Sequence, residues 1–295
     1  MEQSPIIAIG LPIALFIIMI GMGLTLTVAD FSREARAPRG AVIGSVLQLL
    51  VMPVFGLLLA GWLGMSPALA VGIVIMAACP GGTTSNLIAF LGLGNVALSI
   101  VLTVIASLVT ILTLPIWINV ALERFGGGTD GAIHLPFVQT VIMLSVITLI
   151  PVIIGMMIRA RNANFAALAE RGVNLFGAVV LVLLVIGLAI SNRENLGSLL
   201  MQAGPACAAL NVIGFSLGYC AGRFGGLNLR DAITLSAELG IKNGTVGLLV
   251  TLSILDNSEM AVPAAVYSIM MYGFGAVLIA FGRHKVPAQL AKSAP

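Results

Sequence analysis

The sequence predicts an all-α integral membrane protein of nine transmembrane helices, built as inverted repeats with two broken helices. Three observations predict it. The 295 residues are 59% hydrophobic and 8% charged, with a mean hydropathy of +1.13, whereas a soluble domain carries about a quarter charged residues. Apolar runs long enough to cross a ~30 Å hydrocarbon core recur along the whole chain. Two of these runs are interrupted near their middles by glycine, proline and polar residues.

Glycine, proline and charge breaks divide the chain into spans at 6–28, 41–62, 68–92, 95–120, 134–158, 170–191, 200–222, 230–255 and 261–282. With the N-terminus outside, the inner loops collect Arg33, Arg36, Arg39, Arg159, Arg161, Arg171, Arg223, Arg230, Arg283, Lys285 and Lys292. The outer loops keep only Arg124 and Arg193. The positive-inside rule therefore sets the N-terminus outside and the C-terminus in the cytoplasm, in a cell (inner) membrane. The net charge of +3 reflects this gathering of arginines and not a nucleic-acid partner. The N-terminal Met-Glu-Gln-Ser-Pro lacks the positive start of a signal peptide, so the first run reads as a mature helix. Cys79, Cys207 and Cys220 all fall in apolar runs and read as packing residues, not as a disulfide framework.

Span 2 carries a lone Gln48, an amide that wants a partner in lipid. Span 3 is interrupted by Cys79-Pro-Gly-Gly-Thr-Thr-Ser-Asn86. Pro80 removes a donor, Gly81 and Gly82 loosen the backbone, and Thr83, Thr84 or Ser85 can cap a second half-helix. Span 4 places Asn95, Ser99, Thr103, Ser107 and Thr110 on one helical face, a polar stripe beside the break. Span 7 holds a lone Asn211, which like Gln48 reads as interhelical glue, and a run of Gly214, Gly218 and Gly222 at steps of four, which reads as close helix packing.

Span 8 contains Glu238-Leu-Gly-Ile-Lys-Asn-Gly-Thr245, with two full charges at membrane depth. A charged side chain at a helix centre costs about 3 kcal/mol on insertion scales, so such residues mark a pathway or a binding site. Gly240 and Gly244 weaken the helix there, and Asn243 offers an N-cap for its restart. Spans 3 and 8 lie five apart, an odd shift that reverses direction in the membrane. The halves are therefore inverted, with breaks at matching positions, the layout that marks a site near the midplane.

Together these blocks resemble the bile acid:sodium symporter family, in its nine-span form, over nearly the whole chain. The resemblance rests on Gly21-Met-Gly-Leu-Thr-Leu26 with Asp30-Phe31, the span 3 break, Gly94-Asn-Val-Ala-Leu-Ser99, and Glu238-Leu-Gly-Ile-Lys-Asn243. It implies one membrane domain over 1–295, in which a panel of spans 6–28, 134–158 and 170–191 moves against a core of 41–120 and 200–282. In that core the two broken helices cross. It implies a first sodium site at Ser85, Asn86, Ser99, Thr103 and Glu238, an oxygen-rich set suited to a hard cation. It implies a second site at Gln48, Glu238 and main-chain carbonyls at Leu239 and Ile241, but the family's glutamine is replaced by Lys242, whose ammonium has no lone pair for sodium. A further departure is Met271 and Tyr272 in span 9, where some members carry a His-Asn pair. This turns the expectation from bile acid toward small organic anions.

The expected function is sodium-coupled symport of an organic anion, a small carboxylate or bile-acid-like, by alternating access. The anion would rest on the half-helix N-termini at Thr83, Thr84, Asn243, Gly244 and Thr245, each terminus carrying about +0.5 charge. Sodium is the coupling ion, and no cofactor or nucleic-acid partner is expected. Lys242, four residues after Glu238, would face it on a surviving helical turn. It would then serve as a fixed counter-charge in place of the second sodium, exchange a proton, or make sodium unnecessary. The competing reading is a monovalent cation/proton antiporter. An enzyme ranks last, because zinc-protease and serine-hydrolase motifs are missing and His134 and His284 sit near span ends. Gly92-Leu-Gly-Asn-Val-Ala97 follows a membrane helix instead of a strand, so its likeness to a dinucleotide fingerprint carries no function.

Overall fold

Apolar residues on every turn, punctuated by proline and glycine, fold the chain into helices alone among the described residues. The computed structural model describes residues 10–27, 38–126 and 135–293. Asp30, Phe31, Arg33, Arg36 and His134 lie outside them.

The elements are α1 (Leu11–Thr25), α2 (Arg39–Trp62), α3 (Pro67–Ala78), α4 (Thr83–Leu91), α5 (Val96–Phe125), α6 (Phe137–Arg161), α7 (Ala163–Ser191), α8 (Leu196–Phe224), α9 (Leu229–Gly240), α10 (Gly244–Ile254) and α11 (Ser258–Ser293). Six of them, α2, α5, α6, α7, α8 and α11, are long and apolar enough to cross a membrane. The apolar helices α1, α3 and α10 are shorter. The expected spans 3 and 8 are each two helices, α3 with α4 and α9 with α10, because the backbone leaves helical geometry at both breaks. A five-residue π-helical turn interrupts α2 at Leu47–Val51, α6 at Ser145–Leu149 and α10 at Val250–Ile254.

Packing follows the small residues. Gly214, Gly218 and Gly222 let α8 lie directly on α9: a Cβ added to them would sit 2.8 Å from the Leu239 carbonyl oxygen, 2.4 Å from that of Leu235 and 2.8 Å from the Ala232 Cα. The expected close-packing role of this run is met. Helix α1 packs on α6 and α7, with Gly23 and Gly155 so close that a Cβ on either would strike the other helix's backbone at 2.2–2.3 Å. Helices α3, α4, α5, α9 and α11 pack around the two breaks. Nearly all of α3 is buried, whereas α7 turns Leu175, Val179, Val182, Leu183, Ile186 and Ile190 outward.

Candidate functional site

The two breaks pair with each other. Cys79 is extended (φ −60°, ψ 147°), as the residue before a proline prefers to be. Ile241 is also extended (φ −98°, ψ 109°). Gly81 and Lys242 form an antiparallel β-bridge, and the Asn243 N–H donates to the Pro80 carbonyl at 2.9 Å. The Tyr267 hydroxyl donates to the carbonyl of Gly240 at 2.8 Å, satisfying an acceptor at the end of α9. Non-helical backbone at membrane depth persists only when protein or a watery cavity satisfies it in this way. The role of Tyr267 had no sequence signal beyond a phenol in an apolar run.

The caps differ between the halves. Asn243 caps α10, its side chain accepting from the Val246 N–H at 3.3 Å. At α4 the N-cap residue is Gly82 and no side chain caps it. The Ser85 hydroxyl, one of the expected caps, lies instead 2.6 Å from the Gly82 carbonyl oxygen and 2.5 Å from Glu238 Oε1. A carboxylate is the stronger acceptor, and it draws the hydroxyl inward.

Ser85, Asn86, Ser99, Thr103 and Glu238 meet in one cluster, with Glu238 fully buried. Ser99 donates to Glu238 Oε1 at 2.5 Å. Thr103 Oγ1 has both carboxylate oxygens and the Ser99 carbonyl at 3.0 Å, Ser85 Oγ at 3.3 Å and Asn86 Oδ1 at 3.4 Å. Each hydroxyl brings a single proton. Three protons serve eight close oxygen–oxygen approaches, so lone pairs are in excess. A carboxylate ringed by three hydroxyls, with the Asn86 amide oxygen at its edge, fits a hard cation.

The five-residue stripe on α5 divides by depth. Asn95 caps the helix and donates to Asp231 at 2.8 Å, away from the carboxylate. Ser99 and Thr103 reach Glu238. Ser107 and Thr110 line a cavity of about 10 Å³ with Pro80 and Thr148, space for about one water.

Gln48 is fully buried in the π turn of α2, and neither amide atom has a hydrogen-bond partner among the described residues. A Cβ on Gly81 would lie 3.3 Å from Gln48 Nε2 and 2.6 Å from Glu238 Oε2, so the orphan amide and the carboxylate flank the same break. The Leu239 carbonyl points toward Gly214 on α8, and Ile241 is buried at the break. Asn211 does not bridge helices with its amide N–H, which donates to Cys207 one turn earlier in α8 at 2.9 Å.

Lys242 departs from the expected pairing. Helix α9 ends at Gly240, so no helical turn places Lys242 against Glu238. Its Nζ donates to the Cys79 carbonyl at 3.2 Å, at the C-terminal end of α3, where a helix dipole favours a cation.

Thr83, Thr84, Asn243, Gly244 and Thr245 all line one cavity of about 280 Å³, together with Lys242. Its other walls come from α1, α7 and α11, through Ile18, Met22, Asn174, Leu181, Met271 and Tyr272. Asn174 was not singled out in the sequence; an isolated amide in an apolar run is its only signal.

Paired breaks beside a buried carboxylate cluster, among six other helices long and apolar enough to span, describe an integral membrane protein with a polar centre. The chain belongs to the sodium bile acid symporter family, whose model matches residues 12–199. It is 30% identical over 285 residues to a Bacillus subtilis (strain 168) protein described as an uncharacterized sodium-dependent transporter, YocS, covering 95% of this chain and 85% of that one. It is 29% identical over 283 residues to the probable chloroplastic sodium/metabolite cotransporter BASS1 of Arabidopsis thaliana, covering 94% and 68%. It is 26% identical over 291 residues to the human ileal sodium/bile acid cotransporter, covering 94% and 80%. These relatives are transporters.

Proposed function

We propose that this chain is a secondary active transporter that couples sodium to the movement of a small organic anion by alternating access. The observation that carries the reading is the proton-poor oxygen cluster on Glu238, one turn from a cavity lined by the restarting helices. Sodium binds at Ser85, Asn86, Ser99, Thr103 and Glu238, where the hydroxyls rotate their protons outward and offer lone pairs. The anion rests in the cavity at Thr83, Thr84, Asn243, Gly244 and Thr245. Sodium neutralises the carboxylate beneath it, so cation and anion favour each other's binding.

Within this reading the chain crosses a cell membrane nine times, as inverted repeats, with its N-terminus outside and its C-terminus in the cytoplasm. Helices α1, α6 and α7 form a panel that moves against the remaining core, a division supported by the way α1 packs on α6 and α7. Gln48 and the break form the second cation place, and the Lys242 ammonium, held at the C-terminal end of α3, serves beside it as a fixed positive charge in place of a second sodium. One sodium then drives each cycle.

The test is a thermal-shift screen of small carboxylates on the purified protein, with and without sodium. Joint stabilisation by anion and sodium is expected, since each ligand binds the folded state. No stabilisation by any carboxylate, in either salt, would overturn the reading.

A further inference from the structure

Helix α7 is the least buried of the candidate spans, and Asn174 is its one polar side chain between Gly172 and Ser191. An amide among apolar neighbours needs either a partner or water. Among the described residues Asn174 has no hydrogen-bond partner, and its exposed side chain borders the cavity. It lines the 280 Å³ cavity with Gly177, Ala178 and Leu181, the steps of three, four and seven that make one helical face. The rest of that wall is apolar, and the polar floor at Thr83, Thr84, Asn243 and Thr245 is contributed by other helices.

We infer that Asn174 is a specificity-determining residue that reads a second polar group on the substrate, remote from its carboxylate. The inference rests on the anion binding at the floor of this cavity, as proposed above. A substrate that places its carboxylate on the floor presents its far end to α7. An alkyl end meets Val173 and Leu181 but leaves the amide unpaired. A hydroxyl, keto or amide group at that end pairs with it, since the Asn174 side chain both donates and accepts. The cavity volume sets the size, because it falls just below the roughly 300–1,000 Å³ of pockets that hold drug-sized ligands. The substrate class is a short monocarboxylate carrying a hydrogen-bonding group at the opposite end.

The experiment measures binding to the full-length purified protein in sodium, using matched pairs: butyrate against 4-hydroxybutyrate, and pentanoate against 4-oxopentanoate. The wild type should prefer the substituted member by roughly tenfold, the worth of one ordinary hydrogen bond. Asn174→Leu should bring that preference close to one, weakening the substituted acids and binding butyrate and pentanoate at least as well as wild type, because no amide is then left unpaired. Asn174→Ser should restore part of it. Sodium-dependent thermal stabilisation, which relies on Glu238 and not on α7, reports that each variant is folded. If the wild type binds these acids without preference, or if Asn174→Leu keeps the wild-type preference, the inference is overturned while the transport reading stands. If none of these four acids binds wild type, the substrate class inferred here is overturned, and the transport reading is decided by the wider carboxylate screen.

Discussion

The Lys242 ammonium lies 3.2 Å from the carbonyl oxygen of Cys79, across the break, and not against the Glu238 carboxylate four residues before it. Two charges four residues apart in sequence therefore serve different places. Glu238 is held by hydroxyls from α4 and α5, and Lys242 closes the C-terminal end of α3.

This separation bears on stoichiometry. With the ammonium serving in place of a second sodium, wild-type uptake should follow sodium with a Hill coefficient near one. In Lys242→Gln the ammonium is gone and an amide oxygen is available, so the coefficient should rise toward two. Sodium titration of uptake in proteoliposomes checks this, and cooperative sodium dependence already present in the wild type would sink the fixed-cation assignment.

Glu238→Ala removes the one carboxylate of the cluster and should abolish sodium-driven uptake in a protein that still folds. Glu238→Gln keeps an oxygen for coordination but lacks the charge, and it should weaken sodium binding by at least tenfold. Sodium-dependent thermal stabilisation reads both variants. Normal uptake with unchanged sodium dependence in Glu238→Ala would remove the cation site.

Gly81→Ala tests the approach of the breaks. A Cβ at this position would stand 2.6 Å from Glu238 Oε2 and 3.3 Å from Gln48 Nε2, so the carboxylate must shift. Overpacking of this kind costs about 1–3 kcal/mol. Apparent sodium affinity should fall, and the melting temperature with it. A variant indistinguishable from wild type in both would show that Glu238 has room to move and that the break is loosely built.

Asn243→Ala removes the cap on α10, worth about 1 kcal/mol of stability. Because Asn243 also lines the cavity, the variant should lose substrate affinity more than sodium affinity. Thr83→Val should do the same without the loss of a cap, since no side chain caps α4. Equal losses of both affinities in the two variants would reduce these residues to structural roles.

Much of this was legible in the sequence because it depends on local properties. Hydrophobic run length, the two interruptions and the Asn243 cap are decided within a few residues of themselves. The Gly214, Gly218 and Gly222 run announced a close helix contact through its spacing, and Ser99 and Thr103 stood on one face beside a break. The same locality misled elsewhere. Spacing could not separate Asn95 from Ser99, or show that Ser85 would give up its cap for a carboxylate 153 residues away.

What the sequence determined by itself is the membrane class, the places where helices end, and the residue types present at those ends. Burial and backbone propensity act on each segment before it meets another. Only the tertiary structure decided which groups face one another. It joined Gly81 to Lys242, gave the Gly240 carbonyl the Tyr267 hydroxyl, left the Gln48 amide without a protein partner and turned Asn174 into a cavity. Those pairings follow from the register of helices far apart in the chain, and at membrane depth the backbone groups freed at each break are satisfied only through that register.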